Sequence, residues 1–321
     1  MNQLKKRFWQ EVTAANSIMI AGHIRPDGDC VGSCMALYQY FSKVFPNKEI
    51  DVYFESIPEQ FGFLESIQKS KTECSDGKKY DLFVVADSSD KERLGDAKVY
   101  FENSKKTICV DHHISNLNYA DLNIVEANAS STAEVIYQLL EEEKIDCEIA
   151  TALYLGIIHD SGVFKYESTS RKTMEIAGVL IEKGVDTAKV IDETFYQKTY
   201  IQNQILGRVL LESMMVLEGK GIVSCVTQRM MEFFGANSGD LDGIIEQLRL
   251  TKGVEVAILL VETGILTYKV SMRSVKKVDV SEIALKFGGG GHVRAAGCTM
   301  TGTFHDVINT LLGYCEIQMN A

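Results

Sequence analysis

Apolar residues in this chain fall into two periods, and the alternation between them outlines the fold. Runs with little polar interruption, Ser17-Ile-Met-Ile-Ala21, Ile50-Asp-Val-Tyr-Phe54, Tyr80-Asp-Leu-Phe-Val-Val-Ala86 and Lys106-Thr-Ile-Cys-Val110, have the length and composition of buried strands. Between them the apolar positions recur at helical spacing. An amphipathic helix opens the chain, a second has Val31, Met35, Tyr38 and Phe41 on one face, and a third runs through Phe61, Leu64 and Ile67. A more polar helix is expected from Lys91. Strands alternating with helices predict an α/β fold with a doubly wound parallel sheet.

Beyond residue 130 the pattern becomes helical. The capping-box sequence Ser130-Ser-Thr-Ala-Glu134 opens a helix over 130–143, and helices over 147–158 and 173–183 follow, the last stopped by Gly184. Residues 186–216 have mixed polarity, with a helix expected over 199–215. A second, smaller α/β unit then begins: strand 222–226, helix 241–250, strand 254–261, a hairpin through Gly264 into strand 266–273, helix 280–287, a glycine run, and a final helix from His305. The expected layout is a domain over 1–186, a helical connector over 187–215 and a second domain over 216–321.

Length agrees with two cores, since 321 residues exceed what one compact domain commonly holds. Lys and Arg number 33 against 44 Asp and Glu, and a net charge of −11 argues against a broad basic face for long nucleic acid. A small phosphorylated partner remains compatible, because bound cations reverse the field of an acidic site. No stretch is apolar enough to predict a membrane span. The eight cysteines are scattered without a CxxC pair, and the N-terminus reads as an amphipathic helix and not a secretion signal, so free thiols and a cytoplasmic location are expected.

Four turns change that bland picture. Each follows a core-like segment and carries Asp: His23-Ile-Arg-Pro-Asp27-Gly-Asp29, Asp87-Ser-Ser-Asp90, Asp111-His112-His113 and His159-Asp160-Ser-Gly162. Open α/β sheets place their chemistry beyond the carboxyl ends of the strands. Taken singly, Asp27 reads equally well as a helix N-cap on a solvated Asp-Gly turn, and Asp87 better as a cap than as a ligand. Asp160 stands at a helix C-terminus, where the dipole disfavours an acid, which favours a ligand role. Taken together the four turns predict a two-metal site. Mixed imidazole and carboxylate ligands suit Mn2+ better than Ca2+ or Mg2+. Separately, the amides of Gly288, Gly289, Gly290 and Gly291 before His292 are expected to form an anion-binding nest, with the planar fork of Arg273 as a second phosphate contact.

These motifs resemble the DHH phosphoesterase family, named for the triplet present here as Asp111-His112-His113. The first turn is similar to the family's first motif, Val85-Ala-Asp-Ser-Ser89 to its second and Gly156-Ile-Ile-His-Asp-Ser-Gly162 to its fourth. Lys269-Val-Ser-Met-Arg-Ser274 and Gly-Gly-Gly-Gly-His-x-x-Ala-Ala-Gly resemble the DHH-associated C-terminal domain, so the likeness spans nearly the whole chain. It implies two Mn2+ ions: His23, Asp27 and Asp87 on one, Asp29, His112 and Asp160 on the other, with Asp87 bridging. It also implies that Asp111 orients an imidazole, that His113 meets the substrate phosphate or assists the leaving oxygen, and that Arg273, His292 and the four glycines hold the far end of the substrate. His159 departs from the family pattern, in which a small polar residue commonly precedes the aspartate.

The compact layout is similar to the branch whose members degrade very short oligoribonucleotides and dephosphorylate pAp. The expected partner is therefore a short RNA or nucleotide, with no long nucleic acid and no membrane, and a homodimer left open. A phosphodiesterase for linear or cyclic dinucleotides such as pApA or c-di-AMP uses the same ligands and is the alternative. A catalytically dead nucleotide-binding regulator fits less well, because every acidic ligand is present.

Overall fold

Strand burial on both faces decides the architecture of the first half. The computed structural model describes residues 2–74 and 77–320, and the chain divides into two units, Met1–Gln197 and Lys198–Ala321. The division falls inside the segment 187–215.

In the first unit, helix α1 (Asn2–Ala14) precedes β1 (Ser17–Ala21), α2 (Gly28–Val44), β2 (Glu49–Tyr53), β3 (Leu82–Ala86), α3 (Lys98–Asn103), β4 (Lys106–Asp111) and β5 (Leu122–Val125). Helices α4 (Thr132–Leu139), α5 (Cys147–Asp160), α6 (Arg171–Glu182) and α7 (Thr187–Ile191) complete it, followed by a π-helical turn Asp192–Tyr196. The sheet order is β2-β1-β3-β4-β5 and every pairing is parallel. Alternate strand residues serve opposite faces: Ile18, Ile20, Val84 and Val110 join the main helical layer, while Met19, Phe83, Val85 and Cys109 pack against the Lys91–Asn103 region. The chain leaves β1 for β2 on one side and returns for β3 on the other, so the strand order reverses between β1 and β3.

The second unit holds α8 (Tyr200–Leu211), β6 (Met214–Val216), β7 (Gly221–Val226), α9 (Gln228–Phe234), α10 (Ile244–Arg249), β8 (Val256–Gly264), β9 (Thr267–Ser274), α11 (Val280–Leu285), β10 (Gly290–His292), β11 (Ala295–Thr301) and α12 (Phe304–Asn320). Its sheet, β10-β11-β9-β8-β7-β6, is mixed, with β7 and β8 parallel and the other pairs antiparallel. One face packs on α11 and α12; the other buries Ile205 and Val209 of α8 with Ile244 and Leu248 of α10.

Several expectations need correction. The helix through Phe61, Leu64 and Ile67 is two short 3-10 turns, Glu59–Phe61 and Glu65–Lys69, which bury those same side chains without a full helical turn. The helix from residue 130 starts at Thr132, capped by Ser131, and ends at Leu139 because Leu140 is extended. Strands β5, β6, β10 and β11 went unread. The glycine run also differs from a free nest: Gly288 (φ +70°) ends α11, and the amides of Gly288 and Gly289 close that helix on Leu285 O and Ala284 O. Gly290 and Gly291 then pair with Gly297 and Ala296 across a hairpin. A side chain at Gly289 would collide with Gly297 O, so close backbone approach is what requires glycine there.

Candidate active site

At the reversal point, the turns leaving β1 and β3 converge with the end of β4 and the N-termini of α2 and α4. His23 follows β1 and donates Nδ1–H to Ile24 O (2.8 Å), which turns Nε2 towards Asp87 Oδ2 (3.6 Å) and Asp27 Oδ1 (3.7 Å). Asp27 is the N-cap of α2, accepting from the amides of Asp29 and Cys30 at 3.1 Å each, so the cap and the acid facing His23 are one side chain. Gly28 opens α2 because the His159 ring lies on it; a Cβ there would overlap His159 Cγ. Close approach, and not a turn of the backbone, sets the Asp-Gly-Asp spacing. Asp29 is fully buried.

Asp87 stands just past β3 with φ +61°, and its amide donates to Val110 O. The cap of the following turn is Asp90, so Asp87 is free of that duty. His112 sets Nδ1 against Ala129 O (3.3 Å) and presents Nε2 to Asp160 Oδ2 (2.9 Å), Asp87 Oδ1 (3.8 Å) and Asp29 Oδ2 (4.0 Å). Asp111 points elsewhere: Oδ1 accepts from His113 Nδ1 (2.8 Å) and Oδ2 from Asn116 Nδ2 (2.6 Å). It therefore orients His113, whose side chain remains one-third exposed.

Backbone strain collects around this cluster. Of the eight non-glycine residues with positive φ among those described, Arg25, Asp87, Val163 and Phe164 lie beside it, and Gly162 with the last two makes a left-handed turn that begins just past Ser161, one residue after Asp160. For a β-branched valine this conformation is costly, and such strain persists where surrounding contacts over-determine it.

Electrostatics follow from four carboxylates in little space, Asp27, Asp29, Asp87 and Asp160. Full burial, with Asp87 and Asp160 adjacent, pushes the Asp29 carboxyl well above its ordinary range, and burial likewise raises Asp160 despite His112 beside it. Burial pulls His23 down, but Asp27 and Asp87 outweigh it and raise the imidazole to about 11. In the same way Asp160, Asp29 and Asp87 outweigh burial and raise His112 to about 10. The pocket demands positive charge. Its donor atoms fit a divalent cation: His23, Asp27 and Asp87, and separately Asp29, His112 and Asp160, offer ligand atoms within 4.8 Å of one another. His112 Nε2 is buried without an aligned hydrogen bond, as a ligand nitrogen would be.

In the second unit, Arg273 on β9 and His292 on β10 both lie in register with Ala295 of β11, flanking it on one face of the sheet. Gly288, Gly289 and Gly290 line a separate concavity of about 510 Å3 with Lys269, Ser271 and Thr299. The sequence reading missed Lys269, and in the first unit it missed Thr132, Ser33 and Asn116. Ser33 and Asn116 meet acids four and five residues away, whereas the contacts of Thr132 are long-range and carry no local sequence pattern.

A parallel sheet that gathers imidazoles and carboxylates at its switch point makes a site suited to divalent cations. The DHH family, N-terminal domain, matches residues 17–157, and the DHHA1 domain matches 218–316. A Thermus thermophilus protein named bifunctional oligoribonuclease and PAP phosphatase NrnA is 30% identical, covering 94% of this chain and 92% of its own. Its namesake from Bacillus subtilis is 26% identical over 92% of this chain and 93% of its own. A crystal structure of an exopolyphosphatase-related protein from Bacteroides fragilis superposes with a TM-score of 0.87 at 22% identity, covering 98% of this chain and 96% of that one. The chain belongs to the DHH family, with a DHHA1 domain following the DHH domain, and it is a hydrolase of phosphoester bonds.

Proposed function

We propose that this protein hydrolyses very short oligoribonucleotides and pAp with the help of two Mn2+ ions. The observation that carries the reading is the pair of ligand triads, with Asp87 reaching towards His23 through one oxygen and towards His112 through the other. His23, Asp27 and Asp87 would hold one ion and Asp29, His112 and Asp160 the other, Asp87 being shared. When bound, such a pair would supply an activated water and neutralise charge on the phosphoryl oxygens.

The remaining steps belong to side chains. Asp111, kept below the usual carboxylate range by His113 and Asn116 although burial opposes it, sustains charge on the His113 imidazole, which is raised in turn. A cationic His113 facing solvent can bind a phosphoryl oxygen or give its proton to the departing ribose oxygen. Lys269, Arg273 and the glycine-lined concavity supply the second unit's contacts to a terminal phosphate. The two NrnA relatives, whose names state these activities, support the substrate class.

The test is Mn2+-dependent hydrolysis of pAp, RNA dimers to pentamers, pApA, a cyclic dinucleotide and pyrophosphate. Turnover of pAp and the shortest RNAs, fading with length, is expected. Selective cleavage of pApA or the cyclic dinucleotide would replace this reading with a signalling phosphodiesterase.

A further inference from the structure

The turn Ser130-Ser131-Thr132 belongs to none of the four Asp-bearing turns, yet it touches both ligand triads. We propose that Thr132 is a positioning residue that holds two buried carboxylates ready for the metal pair, Asp29 through its backbone amide and Asp87 through its hydroxyl. The proposal rests on the metal-dependent reading just given.

Thr132 is fully buried as the first residue of α4. Its amide donates to Asp29 Oδ2 at 2.6 Å, the amide of Ala133 donates to Oδ1 at 3.0 Å, and Ser33 Oγ adds a contact at 3.2 Å. Its hydroxyl donates to Asp87 Oδ1 at 2.9 Å. The imidazole nitrogens near Asp87 stand 3.5 to 3.8 Å away, so the hydroxyl makes the shortest of its side-chain contacts. One residue thus fixes an acid from each triad. It does so with neutral donors, which leave the cluster's negative charge for the cations.

Physical reason favours such a device. Asp29, Asp87 and Asp160 repel one another, and a carboxylate free to rotate would swing away from its neighbours before a metal arrived. Preorganised donors remove that rotation, and groups that orient metal ligands commonly govern affinity. Thr132 is itself well anchored. Ser131 Oγ accepts from the Glu134 amide (3.1 Å), while Glu134 Oε2 accepts from Ser130 N (3.2 Å), Ser130 Oγ (2.8 Å) and Thr173 Oγ1 (2.7 Å). The capping-box glutamate therefore reaches one residue further back than the cap, and it ties the start of α4 to the start of α6.

The hydroxyl and the amide can be separated by substitution. Thr132→Val keeps size and amide but cannot donate to Asp87; Thr132→Ser keeps the donor and loses a methyl. Mn2+ binding to the full chain, followed by titration calorimetry and by the coupled two-ion electron paramagnetic resonance signal, needs no substrate. Thr132→Val should bind Mn2+ roughly 10- to 100-fold more weakly, with the coupled signal diminished, while Thr132→Ser stays within about threefold of wild type. Equal affinity and signal in Thr132→Val and wild type would overturn the proposal. Loss in Thr132→Ser equal to that in Thr132→Val would also overturn it, since packing and not the hydroxyl would then be responsible. Should Thr132→Val fail to fold by circular dichroism, Thr132→Ala against Thr132→Ser decides the same question. A wild-type chain that binds no Mn2+ defeats this inference and the metal reading together. One that binds Mn2+ but cleaves nothing in the substrate panel defeats only the substrate assignment.

Discussion

Asp87 occupies a left-handed backbone conformation that asparagine shares at little cost, so Asp87→Asn removes charge while sparing the turn. In the proposed two-cation site a shared ligand would carry several kcal/mol of transition-state stabilisation, and Asp87→Asn should lower kcat/KM by roughly a thousandfold. Its melting temperature without metal should be unchanged or higher, because one of four crowded carboxylates is gone. Activity within tenfold of wild type, measured at saturating Mn2+, would remove Asp87 from the centre of the site. His159 gives a second prediction. Burial lowers its pKa from an ordinary 6.5 to about 4, and its ring sits between Phe61 and Phe195 with Nε2 unpartnered. Between these values the unfolded chain binds a proton that the folded chain refuses, so stability is full above about 6.5 and is lost as pH falls towards 4, by up to about 3 kcal/mol. His23 and His112 act with the opposite sign in the metal-free chain: their contribution is present below 6.5 and lost as pH rises through about 10 to 11. His159→Phe keeps a ring on Gly28 and should flatten the acid limb alone. Urea midpoints at pH 7 and pH 5 check it; parallel slopes in the two proteins would rule out the imidazole as the source.

At the scale of elements, Glu134 joins the N-termini of α4 and α6 through a buried carboxylate that accepts from three neutral donors. Thr173→Val removes one of those donors, and also the hydroxyl that accepts from the Ser170 amide. A hydrogen bond to a charged group is worth about 1.5 to 3 kcal/mol, and the unfolding free energy should fall by that amount, seen as a lower denaturation midpoint with an unchanged slope. A loss below about 0.5 kcal/mol would show that the link between the helices carries no weight. The same network marks where reading the sequence stopped. Ser17–Ala21, Leu82–Ala86 and Lys106–Asp111 were legible because a strand buried on both faces is an unbroken apolar run, and the Asp and His that follow each run were legible with them. Leu122–Val125 offers only alternating burial over four residues, and Gly290–His292 has no apolar side chain at all. The capping-box pattern near Glu134 was recognised, yet nothing local reveals that Thr132 meets Asp29 and Asp87, residues 103 and 45 positions earlier in the chain. Long-range donors leave no period in the sequence.

Across the whole molecule, charge is distributed unevenly between the units. The second unit holds twelve Lys and Arg against twelve Asp and Glu, so the entire −11 resides in the first unit, which also carries the cluster of Asp and His proposed to hold the cations. Neither unit offers an excess of cations to draw in a polyanion. Substrate attraction must then come from a few local contacts, of which Lys269 and Arg273 are the cationic candidates in the second unit. For single strands each neutralised phosphate contributes a slope of about −0.7 to log affinity against log salt. Two such contacts predict a slope near −1.4 in 1/KM for a short RNA between about 50 and 200 mM salt, and Arg273→Ala should reduce it by about 0.7 while raising KM more than it lowers kcat. Steady-state kinetics on an RNA trimer at four salt concentrations measures both. A wild-type slope steeper than about −3 would mean an extended basic track that the charge distribution does not provide, and an effect of Arg273→Ala confined to kcat would move that guanidinium from holding the substrate to the reacting phosphate itself.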